Sequence, residues 1–457
     1  MRSLRAIRNL NTMKDCQQHF ETIAQQTLEV ARRHGATAAA VQIEEVESLS
    51  ASVQGGRPNE RALRQSTQLR LSLFLGQREA SVSSSDLSQQ GVAALVARGM
   101  DSAAIAAEDQ HAGLPGLSAY PIDDVDLELD HAWQLSLRDA VALAARIERA
   151  ALAVSSAVPQ IERAVLFSSR TRRILANSEG FLRSSASTRH SLSCTAVAIR
   201  DGAKEIESWW DARRDPAQLP SPESIGACAG RRALARLGAR QVATQTCPVL
   251  FEPQAAASLL NEFVQAISAR PLYMHSSFLR DALGQEVFAA HMNISDDPLL
   301  KGGMGSRSYD GNGAALRPRT LIAGGRLQGY YLDAYGARRI GLPLVEHGAG
   351  PSNVMVSSTT SEASGDLDAM IRRIGTGLVV SGLNGQGVNL MTGDFSRACS
   401  GFWVENGQIA YPVAGITVAS NLREMFAGIV AVGNDRLTQN GTTTGSWLID
   451  KMRVGGI

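Results

Sequence analysis

In TQLRLSLFLGQREASVSSSD, residues 67–86, apolar and polar residues alternate one for one, which puts Leu69, Leu71, Leu73 and Leu75 on one face. Only an extended chain has a period of two, and a strand with one apolar face must bury that face under a second layer. Gly76-Gln77-Arg78 suits a tight reversal, after which Ala80 and Val82 return. An antiparallel hairpin is therefore expected, not a parallel pair joined by a helical crossover. Upstream, KDCQQHFETIAQQTLEVARRH (14–34) reads as a helix stopped by Gly35, and AAAVQIEEVESLSASVQGG as a strand ending at Gly55-Gly56. Downstream, Asp86 is the expected N-cap of a second helix. This α–β–β–α opening is an α+β pattern.

The Gly/Pro-rich QHAGLPGLSAYP, Gln110 to Pro121, marks a connection. A helix is expected from Leu135 to Val154, then strands with a hairpin at Asp201-Gly202. A further helix is expected in ESIGACAGRRALARLGA, and no fixed-period repeat is present. From CPVLFEPQ onward the character changes to short strands and glycine turns, at Gly324-Gly325 and at Asn406-Gly407, a pair suited to a two-residue turn with positive φ at both positions. The division is a flexible extension over 1–13, with Met13 as an alternative start. An N-terminal α+β domain follows over 14–240, with a sub-boundary near 110–121, and then a β-rich C-terminal domain with a few helices over 241–457.

At 457 residues the chain needs more than one core, and 44% hydrophobic with 19% charged residues exclude a disordered protein. Lys and Arg number 45 against 44 acids, a net charge of +1, which argues against broad binding to nucleic acid or anionic lipid. No apolar run approaches the ~20 residues that span a bilayer. Cys16, Cys194, Cys228, Cys247 and Cys399 are odd in number and lack CxxC spacing, so a reducing, cytoplasmic setting is expected.

The chemistry is sparse. His19, His34, His111, His131, His190, His275, His291 and His347 have none of the spacings that place two metal ligands on one helix. Each reads as a surface or locally hydrogen-bonded histidine. GxSxG and GxxxxGK[ST] are absent. Ser306 lies in a glycine loop, Cys399 reads as a buried thiol, and Trp209, Trp210 and Trp403 read as packing residues. SLLNEFVQAIS, Ser258 to Ser268, reads as an amphipathic helix with Leu259, Leu260, Phe263, Val264 and Ile267 on one side. Asn261, Glu262 and Gln265 fall on the other, so Glu262 is a lone acid with no histidine near it.

YYLDAYGARRIG, GTGLVVSGLNGQGVNLMTGDFSRACSGFWVENGQIAYPV, NLREMFAGIVAVGND and TGSWLIDKMRVGG occur in order. Together they resemble the TldE/PmbA branch of the TldD/PmbA metallopeptidase family, and LFLGQREASVSSSDLS and EDQHAGLP extend the likeness into the first half. The resemblance implies a cytoplasmic, two-subunit peptidase that degrades or matures peptides and unfolded segments. Its TldD-like partner would carry HExxxH and the zinc. In this chain Asn261 stands at the first histidine, Glu262 at the glutamate and Ala266 at the second histidine, and no cysteine follows Cys399. It follows from the resemblance that this chain binds no metal, that Glu262 is a solvent-facing or hydrogen-bonded structural residue, and that the chain serves assembly and substrate admission. Asp394, Arg397 and Trp403, in the longest block, are candidate substrate or subunit contacts, with salt-bridge and packing roles as their alternative. Rival readings are a stand-alone homodimeric peptide-binding module and a hydrolase using Ser306 or Cys399. The family's older link to DNA gyrase supplies a third, but near-neutral charge and the lack of a nucleic-acid motif argue against direct DNA contact.

Overall fold

The computed structural model describes residues 13–123, 125–344 and 348–456. The extension expected over 1–13 lies outside these residues except for Met13, and His347 lies outside them too.

The first half is built on one antiparallel sheet of order β3-β2-β1-β4-β5-β6. Its strands are β1 (Ala38–Gln54), β2 (Arg57–Leu75), β3 (Arg78–Ser84), β4 (Gln160–Asn177), β5 (Leu182–Arg200) and β6 (Ala203–Arg213). Strands from both sides of the 110–121 connection join it, since β1 pairs with β4. Leu69, Leu71 and Leu73 are fully buried, as their alternation requires, and pack with Val41 and Ile43 beneath helices α1 (Met13–Arg33) and α2 (Gln89–Ile105). Further along the same face of β1, Leu49 and Ala51 pack under α3 (Leu137–Leu152) and α4 (Pro222–Ala235). Between the two apolar clusters sits Glu45, buried and bonded to Arg172 at 2.5 Å and to Gln65 at 2.9 Å. The cap of α2 differs from expectation. Ser88 accepts from Gly91 N, while Asp86 accepts from Ser88 N, so the aspartate shapes the turn that brings the serine into the capping position.

In the second half β7 (Gln245–Phe251), β12 (Gly377–Asn384), β14 (Asp394–Glu405), β15 (Gln408–Asn421) and β19 (Trp447–Gly455) pair in a closed ring. β13 (Val388–Asn389) hangs from β14, and β16 (Ile429–Val432) from β19. The β14–β15 reversal is Asn406-Gly407, with φ of 52° and 73°, the geometry its sequence specifies. A second sheet runs β10-β9-β8-β11-β18-β17, from β8 (Met292–Asp296), β9 (Arg319–Ala323), β10 (Arg326–Leu327), β11 (Val354–Ser358), β17 (Leu437–Gln439) and β18 (Thr442–Thr444). The core between them centres on Phe263, Phe288, Phe426 and Trp447, with Phe288 stacked on Phe426 at 4.5 Å. This is a mixed α+β chain with a β-rich second half.

Candidate functional site

The lone acid of the sequence lies on α5 (Pro253–Ala266), which follows β7 directly and starts earlier than its apolar period suggests, with Pro253 in the first turn. Leu259, Leu260, Phe263, Val264 and the following Ile267 are buried, so the packing of this face fixes the helix's rotation and turns Asn261 and Glu262 outward. They enter a cleft of about 810 Å³. Three sheets end at it. The terminal strand of the first sheet supplies Ser208 and Trp210, the terminal strand of the second supplies Gln439, and β13 at the edge of the barrel sheet supplies Val388.

Glu262, expected to be either solvent-facing or hydrogen-bonded, is largely buried, and Gln265 Nε2 donates to its Oε2 at 3.4 Å. Its side chain is 13% exposed and its Oε1 lies 3.7 Å from Arg397 Nη1. Arg397 lies on β14, far from the helix in sequence, so this pairing was not legible from the helical period. Burial pushes the Glu262 carboxyl above its ordinary range, and the Arg397 charge opposes that shift in part. Among the described residues Arg397 donates a single long hydrogen bond, 3.4 Å to Leu383 O, and its buried Nε has no partner.

The other expected contacts separate. Asp394 is exposed and accepts from Thr392 Oγ1 at 2.7 Å and Asn421 Nδ2 at 3.3 Å, ordering a turn. Trp403 is buried in the core and does not line the cleft. Ala266 does not share the cleft either. It is wholly buried, about 140° around the helix from Asn261. Trp210 lines the cleft, where the sequence suggested packing alone, while Trp209 packs in the first half's core. Sequence reasoning missed the carboxamides of Gln254, Gln386, Gln439 and Asn440; only the QNG turn signal at residues 439–441 marked any of them.

Zinc takes imidazole, thiolate or carboxylate donors in a tetrahedral set. The cleft offers amide groups and one carboxylate that already faces a guanidinium, so its residues do not fit such an ion. Among the described residues no three His, Cys, Asp or Glu side chains are grouped to hold a metal. The alternative nucleophiles are built into the structure. Ser306 Oγ donates to Leu300 O at 2.5 Å and accepts from Asn353 Nδ2 at 2.8 Å. Cys399 is buried, and burial pushes its thiol up to about 12. His190 bonds Ser168 Oγ and His131 O, and His291 bonds Ser358 Oγ and Ile429 O, which are local roles.

A pH test follows from Glu262. Because its folded value is raised above 4.5, the folded chain holds this proton more tightly than the unfolded one. The resulting stabilisation is complete below that value and is lost as pH rises through the raised folded value. Glu262→Gln removes the titration, so wild-type stability relative to E262Q will fall with rising pH across this window and then level off. Urea midpoints of both proteins over a pH series check this; parallel curves would refute it.

Models of the PmbA/TldA metallopeptidase family match residues 130–237 as its central domain and 244–456 as its C-terminal domain. The chain is 35% identical over 418 residues to metalloprotease PmbA of Escherichia coli O157:H7, covering 92% of each chain. It is 33% identical to a PmbA homologue of Haemophilus influenzae, covering 97% of this chain and 98% of that one. A crystal structure of a Bacteroides thetaiotaomicron protein described as a putative modulator of DNA gyrase superposes with a TM-score of 0.90. The two are 25% identical, and the match covers 98% of this chain and 100% of the other. TldE from Thermococcus kodakarensis, 18% identical, shares the fold with a TM-score of 0.83 over 95% of this chain and all of its own. With more than two thirds of its length matched by the family's domains and its whole fold shared with these structures, the chain belongs to the PmbA/TldD metallopeptidase family.

Proposed function

We propose that this chain is the metal-free subunit of a TldD/TldE-type peptidase that trims or degrades peptides and unfolded segments, with zinc carried by a TldD-like partner. The observation that carries the reading is the Glu262–Arg397 contact at 3.7 Å. A glutamate serves as general base in such enzymes because a metal lowers the pKa of the water it deprotonates. Here Glu262 faces an arginine, on a helix with no imidazole beside it, so it has no activated water to serve. The subunit's work is then to close the partner's cleft against bulk water and to admit extended chains along its sheet edges. The buried free thiols Cys194, Cys247 and Cys399 suit a reducing cytoplasm. Among the described residues no helix is long and apolar enough to cross a membrane.

Purified alone, the chain will hold no stoichiometric zinc and will not cleave a flexible peptide. Co-expressed with a TldD-like chain it will elute as a mixed dimer that does. Zinc at one equivalent in the isolated chain, with activity lost in E262Q, would overturn the reading. The stand-alone peptide-binding module remains the second reading, because the sheet edges at the cleft all belong to this one chain. Failure to form a mixed dimer or to gain proteolysis with the partner would favour it.

A further inference from the structure

We infer that the metal-free cleft is itself a binding site for an extended, uncharged stretch of polypeptide, held by its main chain. The inference rests on the peptide-handling part of the function proposed above, and adds where this subunit holds the chain and by which groups.

Edge strands leave backbone donors and acceptors unpaired, and proteins ordinarily blunt or cover them. Here the edges of three sheets open onto one cleft. On β6 the Trp210 carbonyl points away from β5, since Gln439 Nε2 donates to it at 2.9 Å. The two-residue period of an antiparallel ladder then turns the amide and carbonyl of Ser208 outward as well. Ser208 and Trp210 both line the cleft.

The side chains match these edges. Asn261, Gln386 and Asn440 make no side-chain hydrogen bond within the described residues, and each lines the cleft. A carboxamide donates and accepts at once, as a peptide group does, so three of them can read a main chain without reading its side chains. Arg397 lines the cleft, and its guanidinium makes one long hydrogen bond among the described residues, 3.4 Å to Leu383 O. Glu262 likewise makes only a 3.4 Å contact with Gln265 besides its loose ion pair.

Charge sets the ligand class. The lining carries one acid and one base, a largely buried pair. The acid and the base offset one another, so the cleft has no net charge with which to draw an anionic or a cationic segment. The cleft therefore favours an internal segment of a polypeptide over either terminus.

The test uses the full chain alone and a fluorescein-labelled peptide of Gly, Ala, Ser and Thr with both ends blocked, read by fluorescence polarisation. The peptide will bind, and N-methylating alternate amides will weaken binding by about tenfold or more, because main-chain donors are lost while the side chains stay. Combining Asn261→Leu with Gln386→Leu, both at exposed positions, will weaken it by about tenfold with an unchanged urea midpoint. Equal binding of the plain and methylated peptides, wild-type affinity in the double variant, a requirement for a free terminus, or no binding would each overturn the inference. Sizing of the same proteins with a TldD-like chain separates the two ideas. A mixed dimer that cleaves peptide while the isolated chain binds none defeats the cleft and leaves the subunit role standing. Main-chain binding without a mixed dimer does the reverse.

Discussion

Gly401→Ala will prevent the C-terminal barrel from closing. A β-carbon at this position would lie 1.8 Å from Val379 O and 2.8 Å from Val379 C, inside the backbone of the neighbouring strand β12. Neither atom belongs to a flexible side chain, so relief requires β12 and β14 to separate at the seam where Val380 faces Gly401. That seam completes the five-stranded ring, and overpacking against a fixed backbone costs about 3 kcal/mol or more. Gly382→Ala is the control. Its β-carbon meets only Ser400 Oγ, at 3.1 Å, so a shift of a few tenths of an ångström in one side chain relieves it, at the cost of loosening the Arg236 bond that this hydroxyl accepts. Soluble yield and urea midpoint will fall sharply in G401A and little in G382A. Equal stability of the two would show that the strands can part without loss.

Arg236→Met will weaken the seam between the two halves, although Arg232–Glu252 and Gln439–Trp210 also cross it. Arg236 is buried on the residue after α4, pairing with Glu207 at 2.5 Å and Glu205 at 3.4 Å on β6. It also donates to Ser400 Oγ of β14 at 2.6 Å, so one guanidinium ties the first sheet to the barrel. Methionine fills the space but leaves two largely buried carboxylates side by side without a counter-charge. Breaking such a buried pair costs about 3–5 kcal/mol, much of it the penalty on the abandoned acids. Adding Glu205→Gln and Glu207→Gln will therefore restore most of the loss, whereas Ser400→Ala alone, which leaves the ion pairs intact, costs only about 1 kcal/mol. Denaturant unfolding of the set checks this. A triple variant no more stable than R236M would place the effect in packing instead.

The two halves were legible to different depths. In the first, the leucine alternation of 69–73 and the Asp201-Gly202 turn translated directly into strands and a hairpin. Both signals are local, set by side-chain period and by backbone φ. The cap of α2 was misread by two residues because Asp86 and Ser88 both favour that role, and only the turn between them decides which takes it. In the second half, the hairpins at 324–325 and 406–407 were readable for the same local reason. The closing of β12 onto β14 was not, because it depends on two bulged strands meeting in register.

For the candidate site, the sequence alone determined that the helix carrying Glu262 buries its apolar side and brings no imidazole with it. It also held the ordered blocks that mark the family. Only the tertiary structure decided that Glu262 faces Arg397, that Asp394 and Trp403 stand apart from them, and that three sheet edges end at one cleft. The physical reason is range. Helical period and turn chemistry act over a few residues, whereas the cleft is formed by segments near 208, 261, 386, 397 and 440, whose meeting depends on how whole sheets pack.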